Sequence, residues 1–167
     1  MLIKEHGPQK IICSRSFTIV RNPYDRLVSL YFHILKRHKN NTLFHDDDPD
    51  LFGNPPESSF ERFVFNQLEM IMDLAQGTNK IVNRQAHWVM FRSKPLVNRV
   101  FKFEDVFFNK KHKLKQFLSI PDSFELTHKN RTKHRPWQDY YNPSIQSLVY
   151  KLYEKDFDLF QYSQKVS

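Results

Sequence analysis

At 167 residues, 40% of them hydrophobic and 15% aromatic, the chain is long enough for one domain with a real core and too rich in large apolar groups to be disordered. Its 26 Lys and Arg against 18 Asp and Glu leave a net charge of +8, which favours an anionic partner, and its single cysteine, Cys13, excludes an internal disulfide or a thiolate metal cluster. No apolar run is long enough to cross a membrane and the N-terminus shows no signal-peptide pattern, so residues 1–167 read as one soluble domain.

Residues 1–15 are weakly patterned. Phe17-Thr18-Ile19-Val20 is aromatic and β-branched, predicting a short buried strand over 16–21. Asn22-Pro23 breaks it, because proline is barred from strand interiors but welcome in the first turn of a helix. Leu27, Leu30, Tyr31, Ile34 and Leu35 then recur at helical spacing and predict a helix over 23–38, ending in Lys36-Arg37-His38-Lys39. Residues 40–56 are polar and turn-rich, a long loop for a compact domain. Within it His45 to Asp50 offers oxygen ligands, but the spacing matches no calcium loop and reads as an exposed acidic turn.

Ser58 and Glu61 have capping-box spacing and open a helix whose stripe is Phe60, Phe63, Val64, Leu68, Ile71 and Ala75, with Gly77 beyond its end. Residues 80–95, with Gln85-Ala86-His87-Trp88, read as a short helix or irregular chain. Arg99 to Phe103 alternates and predicts a second strand, ended by Glu104-Asp105. A helix over 106–118 follows, with Val106, Leu114, Phe117 and Leu118 inward. Residues 121–141 are a loop rich in Lys, Arg, His and Pro. Asn142 is an N-cap before Pro143 and opens the last helix, with Ile145, Leu148, Val149, Leu152 and Tyr153 as its stripe. Strands alternating with helices make this an α/β chain with too few strands for a complete parallel sheet.

Two features bear on function. Residues 102–135 hold nine basic and four acidic side chains, a balance that suits a nucleotide, a polyanion or a nucleic acid. Lys110, Lys111, Lys113 and Lys115 within it read as a solvated face. Arg21 falls at a strand's C-terminal end and Ser29 two turns into the next helix, where a cation and a hydroxyl can hold a phosphate from two directions. The residues alone support equally the alternative that Arg21 pairs with a surface carboxylate and Ser29 merely tolerates a helix interior.

The stretch Arg21 to Tyr31, "RNPYDRLVSLY", resembles the 3′-phosphate-binding motif of sulfotransferases that use 3′-phosphoadenosine 5′-phosphosulfate (PAPS), within the carbohydrate sulfotransferase branch (sulfotransferase family 2). Arg21, Asn22, Pro23, Arg26, Ser29 and Tyr31 carry it. "VFKFEDVF" is similar to the strand, Glu-Asp and helix start found late in that family, and residues 130–162 are similar to its C-terminal loop and helix. The resemblance implies a partial P-loop-NTPase-like sulfotransferase fold, a small parallel sheet flanked by helices. It implies transfer of a sulfuryl group from PAPS to a hydroxyl of a carbohydrate, with no metal and no nucleic-acid partner.

By the same resemblance Arg21 and Ser29 bind the 3′-phosphate, and Arg131, in "HKNRTKH", closes over the nucleotide, with Lys129, Lys133 and Arg135 competing for that role. Arg26 reads as structural, and Glu57, Glu61 and Glu104 as capping or strand-end residues. His87 beside Trp88 is the candidate general base; its other reading is a structural histidine bonded to backbone. The family grips the 5′-phosphosulfate with an upstream strand, loop and helix. Only twenty residues precede Arg21, and Gly7 to Lys10 echoes that loop without its strand or its Ser/Thr-led helix. The expectation is therefore an N-terminally incomplete domain. The alternative function is a catalytically incompetent remnant that binds a nucleotide or polyanion. The expected compartment is cytoplasmic for a complete chain and the Golgi lumen for a fragment of a longer eukaryotic protein; no oligomeric state is legible.

Overall fold

The structure is a computed structural model that describes residues 16–39, 58–68, 83–91, 94–109, 111–127 and 131–165. The expectations for Lys10, the acidic turn at 45–50, Ile71, Ala75, Gly77, Lys110 and Lys129 lie outside them. In chain order the elements are β1 (Phe17–Val20), α1 (Pro23–Lys39), α2 (Phe60–Arg62), a π-helical turn (Phe63–Leu68), α3 (Gln85–Val89), β2 (Met90–Phe91), β3 (Lys94–Pro95), β4 (Arg99–Lys102), a second π-helical turn (Asp105–Asn109), α4 (Lys111–Leu118), a 3-10 turn (Trp137–Tyr140) and α5 (Pro143–Phe160). They gather into two units, Met1–Asn22 with Gln85–Asn130, and Pro23–Arg84 with Arg131–Ser167.

In the first unit β1 and β4 pair in parallel, from Phe17 opposite Arg99 to Val20 opposite Lys102. Parallel strands need a long crossover, which the intervening chain provides. A side-chain clasp starts the register: the Ser16 amide and hydroxyl both donate to Asn98 Oδ1, at 2.9 and 3.1 Å, and the Asn98 amide returns a bond to Ser16 O at 3.0 Å. One face of the pair is covered by α4, whose Phe117 meets Phe17 and Phe101 edge to face at 5.8 and 5.6 Å. In the same unit β2 and β3 pair antiparallel, Met90 opposite Pro95 and Phe91 opposite Lys94.

The helix expected over 106–118 is split, a π-helical turn leading into α4. Val106 and Leu114 are buried as expected, but Leu118 is 36% exposed. It is the last helical residue, and Ser119, at φ 57, turns the chain away in the left-handed region. Ser119 and Ile120 donate back to Gln116 O and Lys115 O, which closes the helix in a Schellman pattern.

The second unit is built on α1, which buries Tyr24, Leu27, Val28, Leu30, Tyr31 and Ile34. Against them lie Phe60, Phe63, Val64 and Leu68, together with Ile145, Val149, Tyr153 and Phe157 of α5. The cap of α2 falls one residue later than the capping box predicts. Ser59 is the N-cap, its hydroxyl accepting from the Arg62 amide at 3.3 Å. Glu61 instead accepts from Asn142 Nδ2 at 3.1 Å, so two helix starts are tied together. Asn142 caps α5 as expected, its Oδ1 accepting from the Ile145 amide at 2.9 Å ahead of Pro143. At Tyr153 the helix departs from helical dihedrals, and Arg84 Nε donates to the carbonyl of the preceding Leu152 at 2.7 Å. A side chain on a helix carbonyl is a recognised companion of a kink.

Aromatic rings fill this core. Tyr24 stacks on Trp137 at 5.8 Å and meets Tyr141 and Phe157 at 4.7 Å each. Its hydroxyl donates to Gln164 O at 2.8 Å, and the Tyr141 hydroxyl donates to Tyr24 O at 3.0 Å. Burial pushes the Tyr24 and Tyr153 phenols up to about 12 and raises that of Tyr141 as well. Among the described residues no helix is long and apolar enough to cross a membrane, and no three His, Cys, Asp or Glu side chains are grouped to hold a metal ion.

Candidate functional site

Arg21 is the first residue past β1, and its backbone is held from two sides. Its amide donates to Gln85 Oε1 and its carbonyl accepts from Gln85 Nε2, both at 2.8 Å. The next amide, of Asn22, donates to Glu104 Oε1 at 2.8 Å. Asn22 is further confined because the residue before a proline is pushed to extended dihedrals. The Arg21 guanidinium lies over the Phe103 ring, 4.8 Å from its centroid. Such stacking fixes a guanidinium by its face and directs its N–H groups outward along the plane. Glu104 thus has the strand-end role expected of it. No sequence signal marks Gln85, since an amide one residue after an arginine is too common to single it out.

In the second unit Ser29 lies on α1 with its hydroxyl 3.1 Å from that of Thr132. Two residues on, His134 stacks on Phe32 of the same helix at 5.3 Å, one turn beyond Ser29, and its Nδ1–H donates to Arg135 O at 2.7 Å. Thr132 and His134 are the half-buried members of the run, while Arg131, Lys133 and Arg135 are exposed. The run therefore alternates, anchoring its even members to α1 and turning three cations outward. Arg135 returns over Tyr140, 5.3 Å from the ring. Arg131 and Lys133 both flank the residue that meets Ser29, so they stand equally close to it in the chain. In the sequence the one signal for Thr132 is the alternation of "RTKHR".

His87 is exposed on α3, its imidazole edge to face with the Trp88 indole at 5.7 Å. Arg26 is half-buried on α1 and electrostatically lowers the Tyr153 phenol against the larger effect of burial, in keeping with a structural role. The second unit also holds a groove of about 510 Å³ whose lining includes Phe32, Glu61, Arg135, Asp139, Tyr140 and Asn142. It offers ring faces beside hydrogen-bonding groups of both signs.

In the first unit a cation set on an aromatic face, and in the second a hydroxyl pair flanked by outward cations, are each chemistry that suits phosphate esters. Comparison with curated proteins and with solved structures returns no match to the chain. The model of the sulfotransferase family matches residues 4–163, nearly the whole length. That span takes in the Arg21–Ser29 motif, β4 with its Glu-Asp end, and the C-terminal loop and helix, and the mixed α/β elements with a small parallel sheet agree with it. The chain belongs to the sulfotransferase family.

Proposed function

We propose that the chain transfers a sulfuryl group from PAPS to a hydroxyl of a carbohydrate, with Arg21 and Ser29 binding the 3′-phosphate and Arg131 closing over the nucleotide. Family membership supports the transfer. The observation that carries the nucleotide assignment is the Ser29–Thr132 hydroxyl pair with Arg131 and Lys133 on either side of Thr132. A 3′-phosphate is a dianion with several acceptor oxygens, and hydroxyl and guanidinium donors satisfy it with charge-assisted bonds. The groove beside Tyr140 supports a sugar acceptor, because a pyranose presents a C–H face to a ring and a polar rim to Asp139, Arg135 and Asn142.

In the proposed reaction the acceptor oxygen attacks sulfur in line and the bond from sulfur to the 5′-phosphate oxygen breaks. Adenosine 3′,5′-bisphosphate leaves, and the hydroxyl proton passes to a base. His87 is the proposed base, its imidazole exposed on α3 beside Trp88. Holding the 3′-phosphate positions the donor through a part of the substrate that does not react, so binding energy there serves orientation at sulfur.

Calorimetric titration with adenosine 3′,5′-bisphosphate, against adenosine 5′-monophosphate, tests the assignment. Replacing Arg21 by alanine should weaken the bisphosphate by about 2 kcal/mol, roughly thirtyfold, and leave the monophosphate unchanged. Equal affinity of the wild-type chain for the two nucleotides would remove the 3′-phosphate from the function. With a sulfate acceptor in hand, His87→Asn should cut turnover about a hundredfold without altering nucleotide affinity.

A further inference from the structure

We infer that Gln85 is a positioning residue for Arg21, and that its amide sets the direction from which the guanidinium reaches a phosphate. The inference rests on the reading of Arg21 as a 3′-phosphate ligand.

A strand that ends leaves its next residue with a backbone donor and acceptor to satisfy. A neighbouring strand would supply an N–H and a C=O together. At Arg21 the side chain of Gln85 supplies the equivalent pair, accepting from the amide and donating to the carbonyl at 2.8 Å each. Only a carboxamide presents a donor and an acceptor side by side at that reach: a glutamate keeps the acceptor alone, and a methionine of similar length keeps neither.

Two further constraints act on the same four-atom stretch of backbone. Glu104 accepts from the Asn22 amide at 2.8 Å, and Pro23 confines Asn22 to extended dihedrals. With the peptide units on both sides of the Arg21 Cα fixed, its Cα–Cβ direction is fixed too. The Phe103 ring, 4.8 Å beneath the guanidinium, then holds the far end of the side chain. Arginine has a large rotamer entropy, and a ligand that must order it loses affinity by that amount. A backbone clamp with an aromatic seat removes much of that cost before the ligand arrives. The clamp is placed where the family motif begins, at the single cation between strand and helix, and not along the strands, whose register Ser16 and Asn98 already hold at the other end.

The test is calorimetric titration of the full chain with adenosine 3′,5′-bisphosphate and adenosine 5′-monophosphate, for wild type, Gln85→Met, Gln85→Glu, Arg21→Ala and the Gln85→Met/Arg21→Ala pair. Gln85→Met should weaken the bisphosphate about tenfold and spare the monophosphate, since a small misplacement of a ligand group is costly. Gln85→Glu, nearly isosteric and keeping one of the two bonds, should fall between it and wild type, and it carries the test should Gln85→Met fail to melt cooperatively. In the Arg21→Ala background Gln85→Met should have no further effect on bisphosphate affinity, which a merely structural role would not produce. Loss of affinity for Arg21→Ala with none for either Gln85 variant would overturn the clamp and leave the ligand assignment standing. No loss for Arg21→Ala would overturn the assignment itself, and the clamp with it. Equal additional loss for Gln85→Met in both backgrounds would make Gln85 a stability residue only.

Discussion

Ser58 and Ser59 show how a single position separates a cap from a bystander. The spacing of Ser58 to Glu61 satisfies the capping-box rule, yet Ser59 holds the extended dihedrals (φ −133, ψ 152) and accepts from Arg62, while Glu61 is drawn off by Asn142. Ser59→Ala should therefore destabilise the protein by about 1 kcal/mol in urea unfolding, and Ser58→Ala should stay within about 0.5 kcal/mol. Equal effects would mean that the cap is shared. Thr132 allows a comparable comparison at the site. Thr132→Val removes the hydroxyl facing Ser29 and keeps the shape, whereas Thr132→Ser keeps the hydroxyl. If the pair binds phosphate, valine should weaken adenosine 3′,5′-bisphosphate roughly fivefold in the calorimeter and serine should restore it, with unfolding midpoints nearly unchanged.

At the scale of elements, legibility follows the source of each element's stability. α1 and α5 are readable because burial of a periodic apolar set decides them, and proline and asparagine mark where they begin. β1 and β4 are readable from β-branched and aromatic composition, but β1 is not the buried strand that composition predicts: Val20 is buried while Phe17 and Ile19 are exposed. The two π-helical turns are not readable. Both interrupt runs with ordinary helical spacing, and widening a helix by one residue per turn answers to tertiary packing, which no local pattern records. The site divides in the same way. Arg21 and Ser29 lie in a motif of fixed local spacing, whereas Gln85 and Thr132 reach their partners from 64 and 103 residues away. α5 adds an element-level prediction. Asn142 caps it through Oδ1 and holds Glu61 through Nδ2, so Asn142→Asp, which keeps the cap and loses the donor, isolates the second bond. Asn142→Ala should cost about 1 kcal/mol more than Asn142→Asp in the same unfolding assay.

For the molecule as a whole, pH acts on stability from two ends. His33, on α1, has its imidazole lowered below the usual 6.5, first by burial and then by the charges of Arg37 and Lys36. Between its folded and unfolded values the unfolded chain binds the extra proton, so stability falls as pH drops below 6.5 and levels off once the folded value is passed. The tyrosines act in the opposite sense at high pH. Tyr24 and Tyr153, raised by burial to about 12 from an ordinary 10.0, keep their protons in the folded state where the unfolded chain has lost them. Stability then falls as pH rises above 10, by about 1.4 kcal/mol per unit for each such phenol until its folded value is reached. Thermal unfolding followed from pH 5 to 11 should give a plateau between about 7 and 9.5 with a descent on either side. His33→Gln should flatten the acid limb and leave the alkaline one. Tyr153→Phe should make the alkaline limb shallower and leave the acid one, whatever it does to the height of the plateau. Phenolate absorbance recorded during the alkaline descent should rise together with the loss of structure, because these buried phenols ionise chiefly once the chain opens; absorbance that rises well before unfolding would place them in contact with water.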